Sequence, residues 1–202
     1  DDLPEIKPSN IARNSNKAFI GDYVRGIGFV LDPDEAQRLA QSDEKSSKCI
    51  IPYANGSDLN SLPFLSPNRY VICFQDWSLE KASQFPELLK IIKDRVKPYR
   101  EGVNQARDRD NWWLFSAYRK ELREATKSLE HILARSRISN THALVFVPKN
   151  WILNEKTIIF AYDDYISFAV LQSSIHEMWM AKFTSTFRTD INYAPSDCFI
   201  NF

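Results

Sequence analysis

Six polar residues in one short stretch of this chain have the side chains best suited to bind another molecule. They lie in the sequence HILARSRISNTHALVFVP, at 131–148, between two apolar segments. β-Branched and other apolar residues favour strands, whereas Arg, Ser, Asn, Thr and His supply hydrogen-bond donors and acceptors. The stretch therefore predicts a hairpin with a polar tip. Its polar residues are Arg135, Arg137, Ser139, Asn140, Thr141 and His142.

Two interpretations fit such a tip. A hairpin can enter a nucleic-acid groove, where Arg forms paired hydrogen bonds with guanine and Asn forms them with adenine. The alternative is an exposed polar hairpin that binds nothing, since connecting segments are polar and exposed in most proteins. These residues alone leave both interpretations open.

The charge distribution is uneven although the net charge is zero. Residues 90–140 hold 13 Lys and Arg against 7 Asp and Glu, whereas the remaining residues hold 13 against 19. A neutral chain is unlike a protein that coats DNA. One basic region in an acidic chain is expected where a single face meets a polyanion, but a solvated helix face gives the same pattern.

Length and composition indicate a folded protein with one domain, or one domain and a subdomain. The chain has 202 residues, of which 44% are apolar. Three cysteines without a CxxC pair favour a reducing compartment. No apolar run approaches the ~20 residues that span a bilayer, and the first residues do not resemble a signal peptide. We expect a cytoplasmic protein with no membrane contact.

The flanking sequence predicts the elements that position the hairpin. Alternating apolar residues predict strands, and capping residues with helical periodicity predict helices. The predicted strands, besides the hairpin, are 19–31, 48–53, 69–74 and 157–162. The predicted helices begin after Asp32, after Ser78 and at Pro86, and cover 118–129 and 166–183, the last with a kink at Ser173-Ser174 and packed on the sheet.

This mixed order predicts an α+β fold with a mixed or mainly antiparallel sheet packed by helices. Residues 1–17 are polar, with two prolines and three asparagines. They predict a linker or lead-in, and residues 18–202 the domain itself.

Patterns typical of catalytic sites are incomplete. Gly26-Ile27-Gly28 lacks the third glycine of a nucleotide-binding turn, which favours a bend in a strand. His176-Glu177 begins a zinc-binding HExxH motif, but Met180 stands where the second histidine is needed. A helix histidine with internal partners is the better interpretation. The sequence also has no P-loop and no nucleophile elbow.

Two alternatives to nucleic-acid binding remain open. Trp112 and Trp113 belong either to the core or to a loop that binds a partner protein. Asp163-Asp164 either caps the following helix or, with His176, forms an unfamiliar catalytic or metal site. The latter requires these side chains to converge in one pocket.

Four separated stretches of this chain resemble the target-recognition region of MmeI-like DNA methyltransferases, the large type IIG or IIL restriction-modification proteins and their stand-alone relatives. The stretches are FIGDYVRGIGFVLDPDEAQRL, YANGSDLNSLPFLSPNRYVICFQDW, ILARSRISNTHALVFVP and AYDDYISFAVLQSSIHEMWMAKFTSTFRTDINYAPSDCFINF. They occur in the family's order, and the resemblance extends over nearly the whole chain. The resemblance implies a fold like that of a target recognition domain.

The resemblance also implies a fragment of a larger protein. In the family this region follows a Rossmann-type adenine-N6 methyltransferase domain that binds S-adenosylmethionine, and a nuclease often precedes both. This chain lacks those motifs. We therefore expect it to be non-catalytic and without a cofactor of its own, and to act with the methyltransferase domain of the same polypeptide on double-stranded DNA.

The resemblance implies two groups of DNA contacts. The family's variable base-reading positions fall on the hairpin, where Asn140 and His142 are the first candidates, since residues two apart on a strand face the same way. Arg135, Arg137, Ser139 and Thr141 follow. Candidates for contacts to the DNA backbone are Asn68, Arg69, Thr186, Arg188 and Thr189 from shared motifs, and Lys97, Arg107 and Arg109 from the basic stretch. For Arg69 and Arg188 an ion pair with a nearby carboxylate is the alternative.

Overall fold

The structure, a computed structural model, describes residues 8–61, 66–187 and 190–202. Within these ranges, strands and helices alternate without a fixed order. The strands are β1 (Ala18–Ile20), β2 (Val30–Leu31), β3 (Ile50–Ala54), β4 (Tyr70–Ile72), β5 (His131–Ser136), β6 (Ile138–Ser139), β7 (Val145–Pro148), β8 (Ile152–Leu153), β9 (Thr157–Phe160), β10 (Ser185–Phe187) and β11 (Asp190–Asn192). The helices are α1 (Pro33–Ser42), α2 (Gly56–Ser61), α3 (Leu79–Ala82), α4 (Pro86–Arg95), α5 (Lys97–Glu101), α6 (Ala106–Asp110), α7 (Lys120–Thr126), α8 (Tyr165–Leu171), α9 (Ser174–Phe183) and α10 (Pro195–Cys198).

The described strands form three sheets. One has the order β1-β9-β5-β7 and another the order β10-β11-β6, and all pairs in both are antiparallel. The third has the order β2-β4-β3-β8, in which β3 and β8 run parallel. The predicted α+β class with mainly antiparallel sheets is confirmed.

One hydrophobic core lies on the third sheet, β2-β4-β3-β8. Phe29, Leu31 and Val71 are fully buried there against Leu88 and Ile92 of α4. Helix α1 lies beside this core, and local sequence fixes where it begins. Pro33 occupies the first turn, and the Asp32 carboxylate accepts a hydrogen bond from the Glu35 amide at 2.8 Å. The predicted start of this helix is confirmed.

The sheet that contains β5 has a core on each face. Ile132, Ala134 and Val147 pack with one group of buried residues, and Leu133 and Phe160 pack with another that includes Met180 of α9. Every residue of β5 except His131 is buried, because β5 is a central strand with both faces covered. The predicted hairpin therefore begins with a strand, β5, that packing on both faces holds in place.

Two predicted elements are interrupted. The segment 19–31 is not one strand, because β1 ends at Ile20 and the chain approaches the β8–β9 turn: a Cβ on Gly21 would lie 2.1 Å from the Asn154 carbonyl oxygen. The predicted helix at 166–183 is two helices. The first ends at Leu171, and Ser173 caps the second by accepting a hydrogen bond from the His176 amide at 3.3 Å.

The described part of the predicted lead-in contacts the C-terminal segment. The Ile11 amide donates to the Ile200 carbonyl at 2.7 Å, and the Asn14 side chain donates to the Phe199 carbonyl at 2.9 Å. These bonds hold residues 11–14 against the domain. The boundary between residues 17 and 18 stays a prediction.

Candidate nucleic-acid interface

The predicted hairpin is confirmed, and its tip belongs to a second sheet. β5 and β7 pair from His131 opposite Pro148 to Ala134 opposite Val145. Beyond this pairing, β6 turns away and pairs with β11. Residues 137–144, the hairpin loop, therefore lie between the two sheets, and hydrogen bonds from both sides fix their position.

Asn140 and Thr141 form the exposed end of the hairpin loop. The Thr141 hydroxyl donates to the Asn140 carboxamide oxygen at 3.2 Å, and the Thr141 amide donates to the Ser139 hydroxyl at 3.0 Å. Within the described residues, neither side chain has a hydrogen bond outside the loop. Both therefore retain groups that a ligand at the surface can use, including the two N–H donors of Asn140.

Ser139 lies beneath this exposed end and is buried. Its hydroxyl accepts hydrogen bonds from the Thr141 amide and from the Asn60 side chain of α2, the latter at 3.3 Å. It therefore links α2 to the loop, and its burial favours a supporting role over direct base contact.

Arg135 is also a supporting residue by its position, since only 1% of it is exposed. Its Nε donates to the Ser136 carbonyl at 3.1 Å, and its Nη1 donates to His142 Nδ1 at 3.1 Å and contacts the sulfur of Met180. The guanidinium lies 4.8 Å from the centre of the Tyr193 ring. Burial lowers the pKa of Arg135. A side chain enclosed in this way does not reach a base in this structure.

His142 is half-buried and anchored by both ring nitrogens. Arginine has no acceptor, so Nδ1 accepts from Arg135 and Nε2 carries the proton that it donates to the Leu171 carbonyl at 2.8 Å. Burial, and then the charge of Arg135, lower the pKa of His142. The expectation that Asn140 and His142 face the same way is wrong, because the chain leaves strand geometry after Ser139.

Gln172 is a residue of the site that the sequence did not reveal. Its side-chain oxygen accepts from the Leu144 amide at 2.8 Å, and its Nε2 donates to the His142 carbonyl at 2.6 Å. One side chain thus satisfies two backbone groups of the hairpin loop as a neighbouring strand would. Gln172 can do so because α8 ends at Leu171 and leaves it beside the loop.

The remaining base-reading candidate, Arg137, is half-buried. Its amide donates to the Lys156 carbonyl and its carbonyl accepts from the Tyr193 amide, both at 2.8 Å. Its Nε is buried without a hydrogen-bond partner among the described atoms.

The backbone-contact candidates fall into two groups. Thr186 is exposed and lies near the hairpin loop, because it pairs with Ile191, which also pairs with Ser139. Asn68 is exposed, whereas Arg69 forms an ion pair with Asp58 and keeps a third of its side chain exposed. Arg188 and Thr189 lie outside the described residues.

The candidates of the basic stretch lie elsewhere, on α5 and α6. Lys97 is 5.8 Å from the Trp112 ring centre, and Arg109 donates to the carbonyls of Val103 and Asn104. Arg107 is exposed. None of these described contacts involves the hairpin loop.

The basic stretch as a whole is less available than its composition indicates. Arg100 is fully buried and donates to the carbonyls of Val24, Arg25 and Leu114. Six of the 13 cations have a carboxylate partner: Lys90, Arg95, Arg100, Lys120, Arg123 and Lys127. Much of the positive charge in this stretch is therefore offset by carboxylates within the molecule.

The alternative catalytic grouping does not assemble. Asp163 and Asp164 are exposed, and Asp164 caps α8 through the Ser167 amide at 2.7 Å. His176 is fully buried between the Leu171 carbonyl, at 2.7 Å, and the Tyr193 hydroxyl, at 3.1 Å. Burial lowers the pKa of His176 to about 4. The predicted helix cap and the histidine with internal partners are both confirmed.

Two further observations apply to the described ranges only. No helix there is long and apolar enough to cross a membrane. No group of three or more His, Cys, Asp and Glu residues is placed there to hold a metal ion.

Comparisons with known proteins match this architecture. The family model described as MmeI, target recognition domain, matches residues 8–202. Among solved structures, the Type IIL restriction-modification enzyme MmeI in complex with DNA is similar with a TM-score of 0.74 and 15% sequence identity. The match covers 98% of this chain and 26% of that enzyme, so this chain spans about a quarter of its length. No curated protein sequence matches. The chain belongs to the family of MmeI target recognition domains.

Proposed function

We propose that this chain reads a double-stranded DNA sequence with its hairpin loop and thereby selects the site modified by a larger restriction-modification protein. The observation that carries the proposal is the exposed pair Asn140 and Thr141 on a loop that hydrogen bonds of Ser139, His142 and Gln172 hold in place. Side chains that read bases must be free to bind but held in position, and this loop meets both conditions. Membership of a target-recognition family supports the same conclusion.

In this proposal the hairpin loop lies in the major groove. The Asn140 carboxamide offers one acceptor and two donors, the set that pairs with N6 and N7 of adenine, and the Thr141 hydroxyl accepts or donates. The hydrogen bonds of Arg135, His142 and Gln172 fix the position of the loop relative to the rest of the domain. Arg137 stays a candidate for base contact, since part of it is exposed.

Contacts to phosphate fix the register of the protein on the duplex without reading sequence. Asn68, Thr186 and Arg107 are exposed and can take this role, and Lys97, Arg109, Arg188 and Thr189 remain candidates. The contacts made by Lys and Arg would make binding depend on salt, because each phosphate that a cation neutralises releases counterions from the DNA.

Methylation belongs to the rest of the polypeptide in this proposal. The attached domain would flip an adenine out of the stack and bind S-adenosylmethionine, which supplies the methyl group for N6. The present chain has no step in that chemistry beyond selecting the base. We retain the prediction that the protein is cytoplasmic, where its DNA would be found.

A selection experiment tests the proposal. The 202-residue chain is incubated with DNA duplexes that carry a randomised central segment, and the bound fraction is sequenced. We expect one short motif to be enriched. In Asn140→Ala, preference at one base pair should fall by about 1–3 kcal/mol, the value of one good base contact, while other positions keep theirs. Exposed Lys45 provides a control variant, Lys45→Ala. Binding without any enriched motif would contradict the proposal.

A protein-interaction module is the second candidate, and one observation favours it. Tyr165, Ile166, Ile175 and Met178 expose 70–79% of their surface on α8 and α9, and exposed apolar patches mark binding sites. The Trp112-Trp113 loop is less suited, because Trp113 is buried and its indole N–H donates to the Trp77 carbonyl at 2.9 Å. Binding of a protein to α8 and α9 should depend weakly on salt, unlike binding of DNA.

A further inference from the structure

An open cleft of about 590 Å³ lies on the part of the molecule built around β3 and β4. It is lined by four cations, three tyrosines and one carboxylate, that of Glu155. Among its cations, Arg69 is a candidate named from the shared motifs, and Arg95 belongs to the basic stretch 90–140. The lining cations and tyrosines are Arg25, Arg69, Arg95, Lys156, Tyr23, Tyr53 and Tyr99.

The three arginines of the cleft are fixed in position by carboxylates. Arg25 pairs with Asp108 at 2.8 Å, Arg69 pairs with Asp58, and Arg95 pairs with Glu35 at 2.6 Å. The carboxylate side chains are 3%, 11% and 16% exposed, whereas the arginines are 22%, 33% and 43% exposed. The arginines are therefore more exposed than their carboxylate partners, and none of those three partners lines the cleft.

Aromatic side chains alternate with these cations. The Arg25 guanidinium lies 5.9 Å from the Tyr23 ring centre, and that of Arg69 lies 5.4 Å from the Tyr53 ring centre. Tyr99 is 54% exposed. Tyr53 is buried and supports Arg69, whereas Tyr23 and Tyr99 are exposed. Arginine, lysine and tyrosine side chains are among the groups that contact the phosphates and sugars of DNA.

Lys156 connects this cleft to the hairpin loop. It also lines a second cleft of about 310 Å³, whose other walls include Asn60, Ser136 and Ile138. The Lys156 carbonyl accepts the hydrogen bond from the Arg137 amide. Its side chain is exposed and, within the described residues, has no carboxylate partner.

We propose that the two clefts form one track for a sugar–phosphate strand of the DNA, with the Lys156 ammonium contacting phosphate where the clefts meet. The inference rests on the proposed function and extends the DNA footprint from the hairpin loop to the Arg25–Arg69 cleft. A polynucleotide fits better than a small anion, because the cations are spread along an open surface and do not converge on one point. Lys156 should contribute most to the salt dependence, since no carboxylate offsets its charge.

The test measures affinity of the 202-residue chain for a fluorescent duplex of mixed sequence over a series of salt concentrations. Lys156→Ala should weaken binding to all sequences alike and reduce the slope of log K against log salt by about one. Lys156→Arg should restore the slope, and Lys45→Ala should leave both quantities unchanged. Arg95→Ala should have a smaller effect, because Glu35 already offsets that charge.

Lysine acylation gives a second readout that needs no variant. Bound duplex should protect the Lys156 amine from an acylating reagent and leave Lys45 reactive. If the wild-type chain binds duplex while Lys156→Ala matches Lys45→Ala and Lys156 stays reactive, the track is wrong and the proposed function stands. If the wild-type chain does not bind duplex even at low salt, both are wrong.

Discussion

The hairpin has an exposed end and an anchored part. Both are polar, but they differ in exposure and in hydrogen-bond partners. Asn140 and Thr141 are exposed and bond mainly to each other, whereas Arg135 and His142 are enclosed and bond to α8, α9 and β5. The residues of one polar segment therefore have two different roles. One part is free to meet a ligand, and the other determines where the free part lies.

The difference shows that a donor-rich residue in a candidate site need not touch the ligand. Buried polar groups must satisfy their hydrogen bonds internally, and once they have done so they are rigid and costly to disturb. Substitutions in the anchored part of the hairpin should therefore lower the free energy of unfolding. Substitutions at the exposed end should change DNA recognition alone. Four predictions test this division, in order of decreasing effect on stability.

Arg135→Ala should lower the free energy of unfolding by about 3 kcal/mol, because it leaves a cavity and removes the donor to His142 Nδ1. Urea unfolding measures the change. Arg135→Met is the matched control, since it keeps most of the volume and should lose less. An Arg135→Ala chain as stable as the wild type would mean that the anchored part does not hold the loop.

Acid should weaken the anchored part. His176 has its pKa lowered from 6.5 to about 4, and the pKa of His142 is also lowered, so the unfolded chain binds more protons than the folded chain below pH 6.5. Stability is therefore complete above pH 6.5 and declines as the pH falls toward 4. For His176 the loss between pH 7 and pH 5 should be roughly 2 kcal/mol.

Urea unfolding at several pH values measures this decline, and the ring proton signals of His142 and His176 assign it. The His176 ring should remain neutral in the folded chain at pH 6, and the pKa of His142 should lie below its ordinary value. A ring of His142 or His176 that titrates near 6.5 in the folded chain would contradict the enclosed arrangement.

Gln172→Ala should cost about 1–2 kcal/mol, because two backbone groups of the loop lose their partner. Hydrogen exchange at the Leu144 amide should become faster, and exchange in β5 should not change. Gln172→Glu keeps the acceptor for Leu144 but replaces the donor to the His142 carbonyl, so it should protect the Leu144 amide better than alanine does. Unchanged exchange at Leu144 in Gln172→Ala would show that other contacts hold the loop.

Asn140→Ala should change the free energy of unfolding by less than about 0.5 kcal/mol, as expected for an exposed side chain without distant contacts. The same urea measurement applies, with Thr141→Ala beside it. A loss as large as that of Arg135→Ala would remove the distinction between the exposed end and the anchored part.

The sequence predicted much of this molecule, because many of its signals are local. The Asp32 and Ser78 caps, the apolar segments that form β5 and β7, and the break near Ser173 depend on neighbouring residues and are all present. The hairpin was predictable for the same reason. The family was predictable because four motifs occur in order.

The sequence did not show which polar residues of the hairpin are exposed and which are buried. Arg135 is buried because Met180 and Tyr193, both distant in the chain, close over it. Gln172 gave no signal, since its function arises only where the end of α8 meets the loop. The basic stretch was misleading for a related reason: partners such as Asp22 for Arg123 and Glu35 for Arg95 come from the acidic remainder of the chain.

The most direct test of the account uses cells that express the larger restriction-modification protein we propose, with Asn140 as in the wild type or replaced by a different polar residue. The methylated sites in the DNA of these cells are then mapped. We predict that the methylated motif changes at one base pair and stays the same elsewhere. An unchanged motif, with protein of wild-type stability, would contradict the assignment of the hairpin loop as the part that reads DNA.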